Sequence, residues 1–182
     1  MNYIARFLRK FTTSIDFVSS DKDVVRNEIN LFYTKNNHKC DTSIIEFSVD
    51  SILFVLSLVG LRVSNEERLT RAVIRELGPD TLRGLGRVIH EFNEADSAYK
   101  KSKMLFEILK ILKDDGVFSD VKDIVKDEMG WKEWLKTGII AFAQLFVWFS
   151  TDGVAFIAEC VLMIMSATDL IEDGYHVDKY CK

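Results

Sequence analysis

WKEWLKTGIIAFAQLFVWFSTDGVAFIAECVLMIMSATDLIED, residues 131–173, is two apolar arms joined at Thr151-Asp152-Gly153. No charge falls between Thr137 and Thr151, and Glu159 is the only charge between Val154 and Thr168. As α-helix, each arm of about 17–20 residues is roughly 25–30 Å long. That length suits the buried middle of a bundle and nearly suffices to cross a bilayer, which takes about 20 apolar residues. Thr151 or Asp152 can accept from the amides that follow and cap the return arm. The small residues Gly138, Ala141, Ala143, Ala155 and Ala158 let the arms approach closely. The reading is therefore a hydrophobic helical hairpin, with Gly138–Phe149 and Val154–Ile171 at the centre of the molecule. Its apolar positions include Phe142, Leu145, Phe156, Val161 and Ile164.

Three polar residues interrupt the hairpin: Gln144 in the outgoing arm, Asp152 at the tip and Glu159 in the return arm. A buried glutamate must be paired or protonated. Glu159 is expected to meet Gln144 or a basic side chain of another helix; the sharper alternative makes Glu159 and Asp152 acid-sensitive, with protonation easing insertion into lipid. Trp131 and Trp134, beside Lys132 and Lys136, have the composition of an interfacial anchor. Their plainer role is to cover one end of the bundle.

Upstream, the chain reads as helix after helix. From Ile44 to Val63 it is apolar on most faces, and Ser51–Leu61 is free of charge, too short for a bilayer span and long enough for a core helix. Ser64 and Glu67 have capping-box spacing ahead of a helix ending near Leu77. Gly78-Pro79 closes that helix, and Asp80 opens another with Leu82, Leu85, Val88, Ile89 and Phe92 as its stripe. Asp96 or Ser97 caps the next, whose stripe is Met104, Leu105, Ile108, Leu109 and Leu112. Asp114-Asp115-Gly116 is a turn, and a short helix through Val121, Ile124 and Val125 ends near Gly130. Joints this short imply antiparallel neighbours. Strand alternation, repeats and low-complexity tracts are all missing from the pattern.

The N-terminal 1–40 reads as an amphipathic helical arm on a bundle of residues 41–182 whose hairpin covers 131–172. Ile4, Phe7, Leu8, Phe11 and Ile15 recur at helical spacing among Arg6, Arg9 and Lys10, suited to docking on the core or to touching anionic lipid. Asp21–Tyr33 carries a moderate helix signal, and Lys35–Asp41 reads as a polar link. There is no apolar run of signal-peptide length, and Asp173–Lys182 reads as a polar tail rather than an anchor. The expected setting is intracellular and soluble, with membrane association as an option. Of three cysteines, Cys160 is expected as a buried thiol; Cys40 and Cys181 could pair if the protein is exported, and reduced thiols are the simpler expectation.

The 182 residues are 48% hydrophobic and 29% charged, enough for a core and too apolar for disorder. A net charge of −4 supplies no electrostatic drive toward nucleic acid. His38, His90 and His176 form no metal-ligand spacing, and Gly84 and Gly86 lie in a helical pattern without the strand a phosphate loop needs. No serine sits in a nucleophile elbow. The acid pairs Asp114/Asp115 and Asp127/Glu128 read as solvated faces. No catalytic residue, metal or cofactor is assigned, and the expectation is not an enzyme.

Apolar hairpins wrapped by amphipathic helices resemble the pore-forming domains of colicins. Residues 42–172 are also similar to apoptosis regulators of the B-cell lymphoma (Bcl-2) type. Their death motif, a Leu followed four residues on by Gly and then Asp, is echoed by Ile74, Gly78 and Asp80, with Pro79 intervening. Their Asn-Trp-Gly-Arg-like motif before the hairpin is echoed by Gly130-Trp131-Lys132, in which the Trp alone matches. The resemblance implies a surface groove for a partner protein's death-motif helix, with a cation for that helix's Asp; Lys132 and Lys136 are the candidates. The expected function is thus regulation of apoptosis by groove binding, at a membrane in some settings. The alternative is a pore-forming protein whose shielded hairpin inserts into a bilayer. Expected partners are a helical segment of another protein, a lipid membrane and a second copy of the chain.

Overall fold

The computed structural model describes residues 23–27 and 38–181. The basic amphipathic pattern expected over Ile4–Ile15 and most of the link before His38 lie outside the described residues. The described chain is all-α, with no strand. After a helical turn at 23–27 come α1 (His38–Leu58), α2 (Glu66–Glu76), α3 (Pro79–Glu94), α4 (Ala98–Asp114) and α5 (Val117–Met129). Then follow α6 (Trp131–Ser150), α7 (Val154–Cys160), a 3-10 turn at Ile164–Ser166 and α8 (Thr168–Tyr180).

The middle of the bundle is α1. Every residue from Ser43 to Leu56 is buried, with α2, α3, α4 and α8 packed around it. Its serines are accommodated by donating back along the helix. Ser48 Oγ donates to Ile44 O at 2.7 Å and Ser51 Oγ to Phe47 O at 2.8 Å, so neither hydroxyl is stranded in the apolar interior. Phe47 meets Phe92 of α3 edge-on at 5.4 Å. The turn at 23–27 is clasped to α1 by fully buried Val25 and by Arg26 Nε on Glu46 Oε1 at 2.8 Å. The Glu46 carboxylate raises the Arg26 guanidinium still further above its ordinary range.

Local signals explain most boundaries. Pro79 stands at the first position of α3, where its missing N–H costs nothing. Ser97 Oγ accepts from Lys100 N at the start of α4. Gly116 takes φ +92° ahead of α5, a value few side chains tolerate. The cap of α2 differs from expectation. Asn65 Oδ1 accepts from Arg68 N at 3.0 Å, and the Glu128 carboxylate of α5 accepts from Ser64 N, Ser64 Oγ and Asn65 N. A carboxylate from another helix outcompetes the local capping box because it takes three donors at once. Glu128 and its neighbour Asp127, which pairs with Arg68 at 2.8 Å, thus join α5 to α2.

Three expectations about the C-terminal part are corrected. The hairpin is not central: α6 packs on α5 and α7 on α4, both on the outer side of the bundle. The return arm is not one helix, since it breaks after Cys160 and resumes at Thr168. The expected polar tail from Asp173 is, as far as Tyr180, part of α8, which buries Leu170, Asp173, Gly174 and Val177 and packs antiparallel along α1. At the far end of that pairing Cys40 and Cys181 form a disulfide, with Cα atoms 4.8 Å apart. The expected pair of reduced thiols is thereby overturned, for a reason invisible in spacing: antiparallel packing brings together residues 141 positions apart.

Candidate functional site: an exposed apolar ridge

α6 starts with a π-helical turn over Trp134–Gly138. The Trp134 ring lies where a Cβ of Gly138 would be, and packs on Phe142 at 5.5 Å. One face of α6 is buried through Trp134, Gly138, Ala141, Leu145 and Trp148. The opposite face, also apolar, is open: Ile140 is 68% exposed and Phe146 is 69% exposed, with Leu135, Ile139 and Val147 about half exposed. Past the turn, Val154, Leu162 and Met165 are exposed apolar side chains as well. Apolar faces of this extent on one element mark an interaction surface.

The turn is rigid. Gly153 adopts φ +79°, and a Cβ there would sit 2.5 Å from Phe106 Cδ1. Neither Thr151 nor Asp152 caps α7. Instead Thr151 Oγ1 donates to Val147 O at 3.0 Å, while Asp152 is exposed with φ +49°. Beneath the turn, Phe106 stacks against Phe149 at 5.9 Å and Phe156 at 5.8 Å, and Trp148 meets Phe156 edge-on at 5.3 Å. The arms diverge by 114°. No single described helix is long and apolar enough to cross a membrane, and only α6 with α7 together reach that composition.

Across the angle, Gln144 Nε2 donates to both Glu159 carboxylate oxygens, at 3.3 and 3.1 Å. Burial pushes the Glu159 carboxyl above its usual range, while hydrogen bonds from Trp148 and Gln144 pull the other way. Cys160 next to it is a buried thiol, pushed up to about 12 by burial and so inert as a nucleophile.

The remaining candidates are dispersed. Trp131 is 63% exposed at the start of the ridge, with Lys126 above its ring and Lys132 and Lys136 exposed nearby. Trp134 is buried, so of the two candidate anchors Trp131 alone faces outward. Among the hairpin positions, Gly138, Leu145, Phe156 and Ile164 are buried, Phe142, Phe149 and Val161 half-buried, and Val154 exposed. Ile74 lies on α2, whereas Gly78 caps α3 and exposed Asp80 pairs with Arg83, so the death-motif echo spans a break between two helices. A separate cavity of about 880 Å³ lies beside the disulfide; Ile44, Leu82 and Val177 contribute apolar lining, and Arg83 and Arg87 cations. Composition drew attention to the hairpin, whereas this cavity combines residues of α1, α3 and α8 that no linear signal connects.

The fold and ridge thus define an all-α bundle bearing an apolar hairpin on its outer surface. Comparison of the chain with family models, with curated proteins and with solved structures finds no match.

Proposed function

We propose that this protein acts at membranes, docking on a lipid surface through the exposed ridge of α6 and α7. The observation that carries the reading is the open apolar face running from Leu135 to Val147 along α6, with Val154 and Leu162 exposed as well. Lipid is the occupant that its chemistry favours. Between Thr137 and Thr151 the face bears no charge, and at its start exposed Trp131, Lys132 and Lys136 make an arrangement that sits well at the headgroup boundary. Burying such a face gains roughly 25 cal/mol per Å² of apolar surface, in lipid as in protein.

Between Thr137 and Thr168 the only charged side chains are Asp152 and Glu159. Burial holds the Glu159 carboxyl above its usual range, so acid removes its charge and strengthens docking. A neutral Glu159 enters hydrocarbon at lower cost, which lets the hairpin sink deeper, the route to pore formation. The test is flotation with anionic vesicles, paired with dye release, at neutral and acid pH. Binding that grows on acidification supports the proposal, and absence of binding at both values overturns it.

A second reading, regulation of cell death through capture of a partner helix, is favoured by the cavity beside α3. Ile44, Leu82 and Val177 supply apolar lining among Asp41, Asp80, Glu91 and Asp178; Arg83 pairs with Asp80, so Arg87 is the cation offered to an acid of a bound helix. This moves the cation from Lys132 and Lys136 to α3. Saturable binding of a death-motif peptide, weakened by Arg87→Glu, would establish it.

A further inference from the structure

We infer that α3 and α8 together form a binding site for a divalent transition-metal ion, made by His90, Glu94 and Asp178. His90 and Glu94 are four residues apart on α3 and so project from one face. Asp178 reaches them from α8. One ring nitrogen and one oxygen from each carboxylate all lie within 4.8 Å of one another. A tetrahedral ion with bonds of about 2.0–2.2 Å holds its donors about 3.3–3.6 Å apart. Side-chain movement of about an ångström therefore closes the set. His90 Nδ1 and Asp178 Oδ1 are already 2.9 Å apart, and an ion inserted between them replaces a shared proton.

The backbone beneath the trio is held in place. One turn away, Asn93 Nδ2 donates to Gly174 O at 2.6 Å. The helices come so close there that a Cβ on Gly174 would meet Asn93 Oδ1 at 2.5 Å. Three residues beyond Asp178, the Cys40–Cys181 disulfide holds the end of α8. Asp178 has a side chain only 20% exposed, so its carboxylate loses little freedom on binding. Donors spaced by a fixed frame bind with a smaller ordering cost than donors on loops. One imidazole with two carboxylates suits Zn²⁺, and Cu²⁺ as a probe; Ca²⁺ would need six to eight oxygens. His90 and Glu94 face solvent, which leaves further coordination positions to water. The ion would tie α8 to α3 as the disulfide ties α8 to α1.

Calorimetric titration of Zn²⁺ into the oxidised chain tests the site. One saturable site is expected. His90→Gln and Asp178→Asn should each weaken it about tenfold or more, while His176→Gln leaves it unchanged. Cu²⁺ resonance spectra should show coupling to a single nitrogen that disappears in His90→Gln. Circular dichroism verifies that each variant folds, as the exposure of His90 leads one to expect. Absence of a saturable site, or an affinity and spectrum unaltered by His90→Gln in the folded variant, overturns the assignment.

Discussion

At the scale of single residues, Glu159 and Gly153 carry the most specific consequences. The Glu159 carboxyl titrates above its ordinary range because burial penalises its charged form. Folding therefore favours its protonated state. Its contribution to stability is fully present below the ordinary carboxylate pKa and is lost as pH rises through the elevated folded value. Glu159→Gln keeps an acceptor for Gln144 without the charge. It should raise the unfolding midpoint at neutral pH and flatten the pH dependence just above the carboxylate range, both readable by thermal denaturation across pH. A lower midpoint at neutral pH would show that the ionised pair is needed. Gly153→Ala meets both a left-handed backbone and the Phe106 ring. It should cost about 1–3 kcal/mol, measured by urea unfolding. Asn65→Ala removes the cap of α2 and should cost about 1 kcal/mol in the same assay.

At the scale of elements, the contrast is between α1 and α6. Both are apolar on most faces, so periodicity does not say which is central. Ile139–Ser150 is the greasier by composition, and the sequence pattern placed Gly138–Phe149 in the middle. The structure places α1 there, with its serines turned back on their own carbonyls. The surrounding stripes explain the choice: Leu82, Leu85, Ile89 and Phe92 of α3, and Leu105, Ile108, Leu109 and Leu112 of α4, are buried in a shared core with α1. Most element boundaries were legible, because Pro79, Ser97 and Gly116 are local signals that need no tertiary partner. The break after Cys160 was not, since nothing in Val161–Ser166 is a helix breaker by residue type. For the ridge itself, Ile140→Glu with Phe146→Glu should abolish vesicle binding while shifting the unfolding midpoint little, because both side chains already face water. Sedimentation with vesicles beside thermal melts distinguishes this from a folding defect.

For the whole molecule, the disulfide closes nearly the entire described chain into one loop. Cross-linking residues 141 apart restricts the unfolded chain by about 5 kcal/mol in the loop-entropy view. Reduction, or Cys181→Ser, should therefore lower stability by several kcal/mol, and an unchanged urea midpoint after reduction would refute the role. Bonds of this kind persist in oxidising surroundings, which sets the link against the intracellular setting expected from the sequence. The pairing was illegible for the same reason as the site of His90, Glu94 and Asp178: each depends on how α8 lies against its neighbours. The central claim, that the open side of α6 meets lipid, is tested most directly by nitroxide labels placed through Phe146→Cys and, as a control on α3, Arg87→Cys. On adding anionic vesicles, the label at 146 should become accessible to oxygen and shielded from a water-soluble nickel chelate while the label at 87 stays unchanged. Continued access of the chelate to position 146 in the presence of vesicles would contradict it.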